Sequence, residues 1–441
     1  SELNKSKKNA KLFANNIFNI LFLSLLAIVF IIEIFMPLFV ALIAPGFTED
    51  SQKLEIAINL TRITFPFLLF VSLSSFFSAI LNSHNRFAAA AAAPVILNIL
   101  LISVLLLGNI LRDELVYYLS YAVTIAGIIQ FVYLYFYVKK FYSPKFLFKI
   151  SLDDKVKKFF SKLLPSIFSS GVTQINILIG TIIASFQASA VSYLYYADRI
   201  YQINLAIAGI AIGTVVLPQL SKLIELKNKS EIESIQNKAL ELSLFLSIPA
   251  TIALIIASTQ IVSALFGYGS FSEMSVKNSA IALYFFAFGL PAFSLIKIFS
   301  SFFFARHDTK TPFYISLFSV VLNIIISVSL FSKIGFIIIP ISTSISSWFN
   351  AIVLYIFSRK KNYFTFNNIF LFRFPRILFS SLIMGLIFYY LLGNFSENLL
   401  YSENFKFIYL LLTILITLIC YVFVSIATKA FKLSDIKLNY K

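Results

Sequence analysis

The stretch AVSYLYYADRIYQINLAIAGIAIGTVVL, residues 190–217, decides the class of fold. Its apolar run exceeds the roughly 20 helical residues that cross the hydrocarbon core of a bilayer. Asp198 and Arg199 interrupt the run, although an ionised side chain in hydrocarbon costs at least about 2.5 kcal/mol. Such side chains usually face a partner, a water-filled cavity or a polar substrate. The stretch therefore predicts a membrane-spanning helix that carries a functional site.

The rest of the chain repeats this apolar pattern. Of its 441 residues, 59% are hydrophobic and only 12% are charged, and the mean hydropathy is +0.89. We predict an all-α polytopic membrane protein, because the runs are too long and too uniformly apolar for the alternating strands of a β-barrel. Twelve runs are predicted to span the membrane: 12–43, 56–81, 87–107, 115–138, 163–186, 190–217, 239–266, 280–305, 312–331, 336–357, 377–392 and 407–427. The single cysteine, Cys420, leaves no disulfide framework or metal-ligand set, and we expect it to pack in the last span.

The positive charge alternates along the chain in step with the predicted spans. Of 36 Lys and Arg residues, 28 fall in the loops and ends on one side and five on the other. By the positive-inside rule the first side is cytoplasmic, as are both ends of the chain. The net charge of +17 is then a topology signal and a contact for lipid headgroups, and not a nucleic-acid footprint.

Three basic residues remain inside the spans. Arg62 lies near the outer end of its span, where snorkelling to the interface is the favoured explanation. Arg199 and Lys297 have no such easy escape, and for both a polar cavity is favoured over a purely structural ion pair. The roles of Glu33 and Asp198 stay open; adjacent helical residues point about 100° apart, so Asp198 and Arg199 are expected to have different partners.

Two stretches of the sequence resemble each other. Ser-Ser-Phe-Phe occurs at 74–77 and at 300–303, displaced by 226 residues. Pro66 and Pro291, and also Asn98 and Asn323, are displaced by 225 residues. Both prolines lie in helices that run in the same direction, which predicts two parallel bundles around a central cavity.

Counting helices back from this repeat predicts the domain organisation. The second proline lies in the fourth helix of its half and the first in only the second visible helix, so two helices are expected upstream of Ser1. Twelve transmembrane helices would then be visible of an expected fourteen. We expect the remainder of an N-terminal bundle at 1–158, a C-terminal bundle of six helices at 159–364, and two additional helices with a basic tail at 365–441.

Several ordered motifs resemble one family, the lipid II flippases of bacterial peptidoglycan synthesis known as MurJ or MviN, within the MOP exporter superfamily. The most specific is YYADR at 195–199, continued by GIAIGTVVLP at 209–218. Others are APGF at 44–47, ITFP at 63–66, LN and NRF at 81–87, AP with LN at 93–98, and Arg306 with DTKTP at 308–312. The resemblance covers essentially the whole chain, and the order and spacing of the motifs make it specific.

The resemblance implies a transporter that moves undecaprenyl-pyrophosphate-linked disaccharide-pentapeptide from the inner to the outer leaflet by alternating access. It implies a cationic cavity to which Arg199 contributes, and Lys297 is similar to a lysine of some relatives. It also implies a groove for the polyprenyl tail formed by residues 377–427. The substrate is lipid II, membrane lipids surround the protein, a monomer is expected, and a link to the peptidoglycan synthesis machinery is left open.

The energy source to which transport is coupled follows less directly from the residues. A membrane potential of 100 mV acts on one elementary charge with about 2.3 kcal/mol, so it could bias the return of a charged cavity. For some relatives the resemblance implies a sodium site in the second bundle. The fifth, ninth and tenth predicted spans contain no carboxylate, which makes a sodium site doubtful; no other cofactor and no metal are expected.

Other polar residues could serve either transport or structure. Gln174 and Asn176 could line the cavity or could join helices, whereas helix packing is favoured for Asn98 and Asn323. A further set lies at cytoplasmic turns and could form an inner gate or simply anchor the topology: Arg86, Arg306 and Asp308.

Two functions other than transport of lipid II are also compatible with an apolar chain of this kind. One is another exporter of the same superfamily, for lipid-linked oligosaccharides or drugs; the two additional C-terminal helices and the Asp198-Arg199 string argue against it. The other is an integral-membrane enzyme that acts on polyprenyl lipids. An enzyme would need a catalytic constellation, but His84 and His307 are isolated and the outer loops are short, so we expect no enzyme activity.

Overall fold

The computed structural model describes residues 7–108, 114–145 and 154–431, and every regular element in these ranges is helical. The predicted all-α fold is therefore confirmed. We number the α-helices in chain order: α1 (Lys7–Ile34), α2 (Met36–Ile43), α3 (Ser51–Thr64), α4 (Phe67–Ser83), α5 (Phe87–Leu106), α6 (Leu115–Val138), α7 (Asp154–Ala184), α8 (Ala190–Leu205), α9 (Ile212–Glu225), α10 (Lys229–Ile256), α11 (Ser258–Phe266), α12 (Glu273–Phe304), α13 (Lys310–Ile334), α14 (Ile338–Lys360), α15 (Asn368–Asn394) and α16 (Lys406–Ala427). A π-helical segment, Ala206–Ala211, joins α8 to α9, and short 3-10 turns lie at Pro45–Glu49, Gly335–Ile337 and Glu397–Leu399.

Nine segments of the described ranges are long and apolar enough to cross a membrane. One of them, Lys310–Lys360, contains both α13 and α14. The chain is therefore a multi-pass membrane protein, as predicted. The π-helical segment divides the run 190–217 into two shorter helices, so this run is not among the nine segments. The count of twelve visible transmembrane helices out of an expected fourteen therefore stays a prediction.

Prolines and polar caps set several of the helix boundaries. Pro37 occupies the first turn of α2, and Pro66 lies between α3 and α4, where its ring and missing N–H disfavour a continuous helix. At the start of α3 the Asp50 side chain accepts a hydrogen bond from the Lys53 N–H at 3.1 Å. The Asn367 side chain caps α15 in the same way, accepting from the Phe370 N–H at 2.8 Å.

The chain divides into two compact units, and the first comprises Ser1–Phe168. Its core is built from stacked aromatic rings: the centroid of Phe77 lies 5.8 Å from that of Phe18 and 5.2 Å from that of Phe131. α6 packs closely on α4 because Gly127 has no side chain there; a Cβ at this position would lie 2.7 Å from a ring carbon of Phe67. The first unit is thus held by tight packing between α1, α4 and α6.

The second unit comprises Ser169–Lys441, with α12 at its centre. α12 packs against α8, α10 and α14, and most of its length is buried. The C-terminal pair α15 and α16 packs on α10 and α11. Arg373 of α15 donates a hydrogen bond to the Glu241 carboxylate of α10, and the Tyr421 hydroxyl of α16 donates to the Phe245 carbonyl at 2.8 Å.

The internal repeat is visible in the hydrogen bonds within each unit. In the first unit the Lys145 N–H donates to Asn15 Oδ1 at 2.7 Å. In the second unit the Asn367 N–H donates to Asn237 Oδ1 at 3.1 Å, and both of these residues lie 222 positions after their counterparts. α1 and α2 have 28 and 8 residues, and α10 and α11 have 28 and 9. The two units therefore repeat the same local architecture.

This structural register differs from the register of the matching sequence strings. The strings are displaced by 225 or 226 residues, which is three or four more than the 222 of the hydrogen bonds. An α-helix has 3.6 residues per turn, so the shift corresponds to about one turn and keeps the matched residues near the same helix face. The proposed ranges 1–158, 159–364 and 365–441 stay a prediction.

Candidate substrate-binding site

The YYADR motif lies in the middle of α8 and is divided between two faces. Ala197, Ile200 and Tyr201 are buried against the second unit, whereas Tyr195 and Arg199 are exposed. This division follows the helical spacing, because residues three and four positions apart share a face. α8 therefore presents Arg199 and Tyr195 together on a surface that the rest of the second unit leaves uncovered.

The two charged residues of the motif have different partners, as their adjacent positions on a helix predict. The Gln202 side-chain amide, one turn further along α8, donates a hydrogen bond to the Asp198 carboxylate. The Arg199 guanidinium lies 4.6 Å from the centroid of the Tyr195 ring. Arg199 makes no ion pair with a described residue. Its fork of N–H donors is therefore left available while the ring holds the guanidinium in place.

Aromatic residues around the motif fix the position of α8. The Tyr201 ring lies 5.7 Å from the Phe286 ring and 5.4 Å from the Phe293 ring of α12. The Tyr196 ring lies 4.8 Å from both Phe266 and Phe271. The sequence pattern gave no means of selecting these partners, because many aromatic residues are spread over every span.

The π-helical segment after α8 comes close to α12. A Cβ at Gly209 would lie 3.2 Å from the Ser294 Cα, so only glycine fits without displacement. The wider turn redirects the Ala208 carbonyl, which accepts a hydrogen bond at 2.8 Å from the buried Ser243 hydroxyl of α10. π-helical turns inside α-helices are frequent at functional sites. This one follows directly on the helix that carries Arg199.

Lys297 lies on α12 beside the start of α9. Gly213 lies beside the Lys297 backbone, where an added Cβ would be in ordinary van der Waals contact, 3.7 Å from the carbonyl oxygen. The Lys297 side chain is exposed and makes no ion pair with a described residue. The structure does not bring Lys297 and Arg199 into contact; they lie on two packed elements, with the π-helical segment between Arg199 and Gly213.

Gln174 and Asn176 lie on α7 in different surroundings. Gln174 is exposed. Asn176 accepts a hydrogen bond at 2.7 Å from the Asn323 amide of α13, and Asn323 also donates to the Thr343 hydroxyl of α14 at 3.2 Å. Ser342 completes the group by donating to Asn323 Oδ1 at 2.6 Å. These bonds join α7, α13 and α14, so Asn176 and Asn323 contribute to helix association.

The predicted gate residues of the second unit lie in the turn between α12 and α13. Asp308 accepts hydrogen bonds from the Lys361 ammonium at 2.6 Å and from the Thr311 hydroxyl at 2.9 Å. Burial alone would raise the pKa of Asp308, but these hydrogen bonds and the Lys361 charge outweigh it and lower the pKa below its usual value. The Arg306 guanidinium stacks on the Tyr363 ring with its centre 4.6 Å from the ring centroid. This turn is thus tied to the end of α14.

The third predicted gate residue, Arg86, lies in the turn between α4 and α5 of the first unit. It is exposed and makes no ion pair within the described part of the chain. Among the residues that the structure describes, no group of three or more His, Cys, Asp or Glu side chains could hold a metal ion.

The fold first defines the class of protein. A structure described as an inward-facing multidrug resistance MATE family transporter of the MOP superfamily is similar to this chain with a TM-score of 0.66 over 81% of this chain and 82% of that one. At 16% identity this likeness concerns the fold alone. The chain thus has the same polytopic all-helical fold as that structure.

Closer relatives then show the family. The family model for the lipid II flippase MurJ matches residues 1–424. A probable lipid II flippase MurJ of Rickettsia prowazekii (strain Madrid E) is 40% identical over 358 residues, which are 81% of this chain and 70% of that protein. One of Rhizobium tropici is 36% identical over 386 residues, 87% of this chain and 72% of that protein. The chain belongs to the lipid II flippase MurJ family.

A solved structure agrees with this assignment. The lipid II flippase MurJ in an inward closed conformation is similar to this chain with a TM-score of 0.80 and 28% identity, over 97% of this chain and 86% of that one. The resemblance inferred from the motifs is therefore confirmed, and with it the multi-pass membrane character of the chain.

Proposed function

We propose that the protein moves lipid II from the inner to the outer leaflet of the bacterial cytoplasmic membrane by alternating access, with Arg199 as a contact for the pyrophosphate. The observation that carries this proposal is the exposed guanidinium of Arg199, which rests on Tyr195 and has no carboxylate partner among the described residues. A guanidinium offers planar, paired donors that match a phosphate. Membership of the MurJ family supports the choice of substrate.

Lys297 is proposed as a second cationic contact for the same headgroup. Lys297 is an exposed residue of α12 close to the start of α9, which supports this role. Gln174, which is exposed on α7, and Asp198 are proposed to line the same cavity. The network around Asn176 favours helix association for that residue over direct contact with the substrate.

The C-terminal helices α15 and α16 are proposed to hold the polyprenyl tail. Their outward surfaces are rich in apolar side chains, among them Leu386 and Phe423, which are 71% and 73% exposed. The proposal assigns transport and no chemical step, a monomer, and both ends of the chain on the cytoplasmic side, where the positive-inside rule puts the basic loops. Membrane potential is proposed to bias the return of the charged cavity, without a sodium site.

Rescue of a bacterium depleted of its own lipid II flippase tests this function. The native gene that encodes this chain is expected to restore growth and the exposure of lipid II at the outer leaflet. Arg199→Ala is expected to abolish both, whereas Arg199→Lys retains part of the activity because the charge survives without the fork.

Arg62→Ala is the matched control, since Arg62 is also an exposed arginine of a predicted span and lies near its end. It is expected to rescue normally. Normal rescue by a correctly inserted Arg199→Ala protein would refute the role of Arg199. Failure of the unaltered gene, despite correct insertion, would refute the transport function itself.

A further inference from the structure

The two units contain a turn with the same backbone hydrogen bond but with side chains of opposite charge. In the first unit the Arg86 N–H donates to the Leu81 carbonyl at 2.9 Å, and in the second the Asp308 N–H donates to the Phe303 carbonyl at 3.0 Å. A residue with positive φ precedes each N–H, Asn85 at 58° and His307 at 59°. These positions again differ by 222. Arg86 therefore occupies the place that Asp308 occupies in the second unit.

The aromatic contact beside the turn is repeated as well. The His84 and Phe141 ring centroids lie 4.4 Å apart, and the equivalent Arg306 guanidinium lies 4.6 Å from the Tyr363 ring centroid. The two turns are therefore built in the same way around different side chains.

Both units have a lysine at the helix end beside this turn, but only the second unit has an acidic residue in the turn itself. The Lys139 N–H donates to the Tyr135 carbonyl at 2.9 Å, as the Lys361 N–H donates to the Phe357 carbonyl at 3.0 Å, so Lys139 is the counterpart of Lys361. In the second unit Lys361 pairs with Asp308 at 2.6 Å. In the first unit the counterparts of Lys361 and Asp308 are Lys139 and Arg86, so both positions are basic.

Lys140 adds a third positive charge at this end of the first unit. It is exposed, and neither it nor Arg86 or Lys139 makes an ion pair within the described part of the chain. Like charges that are gathered without a counter-ion raise the local potential and attract anions.

Two adjacent cavities open at this basic end, and they share Lys140 and Phe141. The smaller, about 320 Å³, is also lined by Arg86 and Asn85. The larger, about 670 Å³, is lined by Lys11 and by apolar side chains and rings, among them Ile17, Ile80, Phe76 and Phe159. Among the described residues, neither lining contains a carboxylate.

We propose that this end of the first unit is a binding site for an anionic phospholipid of the inner leaflet, in addition to the contact proposed at Arg199. The phosphodiester lies between Arg86 and Lys140, with Lys11 nearby, and an acyl chain occupies the larger cavity. The apolar rings favour a lipid over a soluble anion, because a free phosphate would use only the charges. Basic pockets between transmembrane helices on the cytoplasmic side bind anionic headgroups in this manner. The positive-inside topology puts this end at the inner leaflet.

The second unit supplies the variant that tests the proposal. Arg86→Asp copies the charge that Asp308 has at the equivalent turn, so the new carboxylate is expected to pair with Lys139 and to exclude the lipid. The folded protein is expected to keep its thermal stability, since Arg86 is exposed and the second unit already has an Asp at the equivalent turn. A loss of lipid binding in this variant therefore does not come from unfolding.

Native mass spectrometry of the purified protein measures the bound lipid directly. After equilibration with equal amounts of phosphatidylglycerol and phosphatidylcholine, the unaltered protein is expected to retain phosphatidylglycerol at least tenfold over phosphatidylcholine. Arg86→Asp and the double variant Arg86→Gln/Lys140→Gln are expected to lose this preference. The control Lys222→Gln/Lys229→Gln removes two exposed charges from the second unit and is expected to retain it.

Competition distinguishes the source of the phosphate group. Excess inorganic phosphate or glycerol phosphate is expected to leave the bound phosphatidylglycerol unchanged, and displacement by either would overturn the assignment to a lipid. Equal retention of both lipids by the unaltered protein would overturn the site, as would preferential displacement of phosphatidylglycerol by lipid II. Transport by Arg199→Ala and lipid retention by Arg86→Asp are measured separately, so the two proposals can fail independently.

Discussion

The ion pair between Glu241 and Arg373 is predicted to hold α15 and α16 on the rest of the second unit. The two side chains are 9% and 12% exposed, and they join α10 to α15. Removal of one partner from a buried pair costs about 3–5 kcal/mol, because the other charge stays buried without compensation. Because both side chains keep some exposure, we expect the lower value, about 3 kcal/mol.

A double-mutant cycle measures this contribution. Glu241→Gln and Arg373→Gln are each expected to lower the melting temperature of the purified protein by roughly 6 °C, taking roughly 2 °C for each kcal/mol in a large chain. The double variant removes both charges of the pair at once, so its loss is expected to be smaller than the sum by at least about 2 kcal/mol. Glu225→Gln, at an exposed position of α9, serves as the control and is expected to change little. Additive losses in the double variant would refute the coupling.

Two further predictions concern the close approach at the π-helical segment and the ion pair at the turn. Gly209→Ala puts a Cβ 3.2 Å from the Ser294 Cα. The overpacking costs about 1–3 kcal/mol, which should exceed the gain of about 1 kcal/mol in helix propensity. Both the melting temperature and the rescue of the depleted bacterium are therefore expected to fall. Gly213→Ala, with its nearest atom at 3.7 Å, should be tolerated, and equal losses in the two variants would contradict the packing argument. Because the pKa of Asp308 is lowered, its pair with Lys361 stabilises the fold above the unfolded carboxyl pKa and loses this effect as pH falls through the folded pKa. Asp308→Asn should therefore lower the free energy of unfolding by about 1 kcal/mol at pH 7, a value that is reduced because Lys361 is partly exposed. In acid the substitution should change nothing. Thermal melts at several pH values measure this difference.

The sequence predicted the helices well because hydrophobic length is a strong physical signal. A run such as 407–427 must form a helix in a bilayer, since no water is there to satisfy its backbone groups, and the structure has α16 at Lys406–Ala427. Internal breaks were harder to predict. The run 190–217 continues without glycine or proline as far as residue 208, yet it passes into a π-helical turn at Ala206–Ala211. That turn depends on contacts with α10 and α12, which no local pattern contains.

The candidate site could be predicted only at the level of residues that are costly in a membrane. Asp198 and Arg199 stood out because charge in an apolar run requires an explanation. Their partners Gln202 and Tyr195 lie four residues away on the same helix face and could be inferred from helical spacing. The Ser243 hydroxyl that accommodates the π-helical turn could not, since serine is common in these spans and its partner is a backbone carbonyl.

In the described part of the second unit, some charged side chains have partners within the protein and others are exposed without an ion pair. Glu241 pairs with Arg373, and the buried Lys406 donates to the backbone carbonyls of Gly267 and Tyr401 at 2.7 and 2.6 Å. Arg199 and Lys297, by contrast, are exposed and have no ion pair within the described residues. If these two cations faced lipid, each would cost at least about 2.5 kcal/mol, a penalty that the same unit avoids elsewhere with internal partners. We infer that they face a hydrated surface whose counter-charge arrives with the substrate. Neutralising Arg199 should then weaken binding of a pyrophosphate-linked lipid far more than it changes the melting temperature of the unliganded protein.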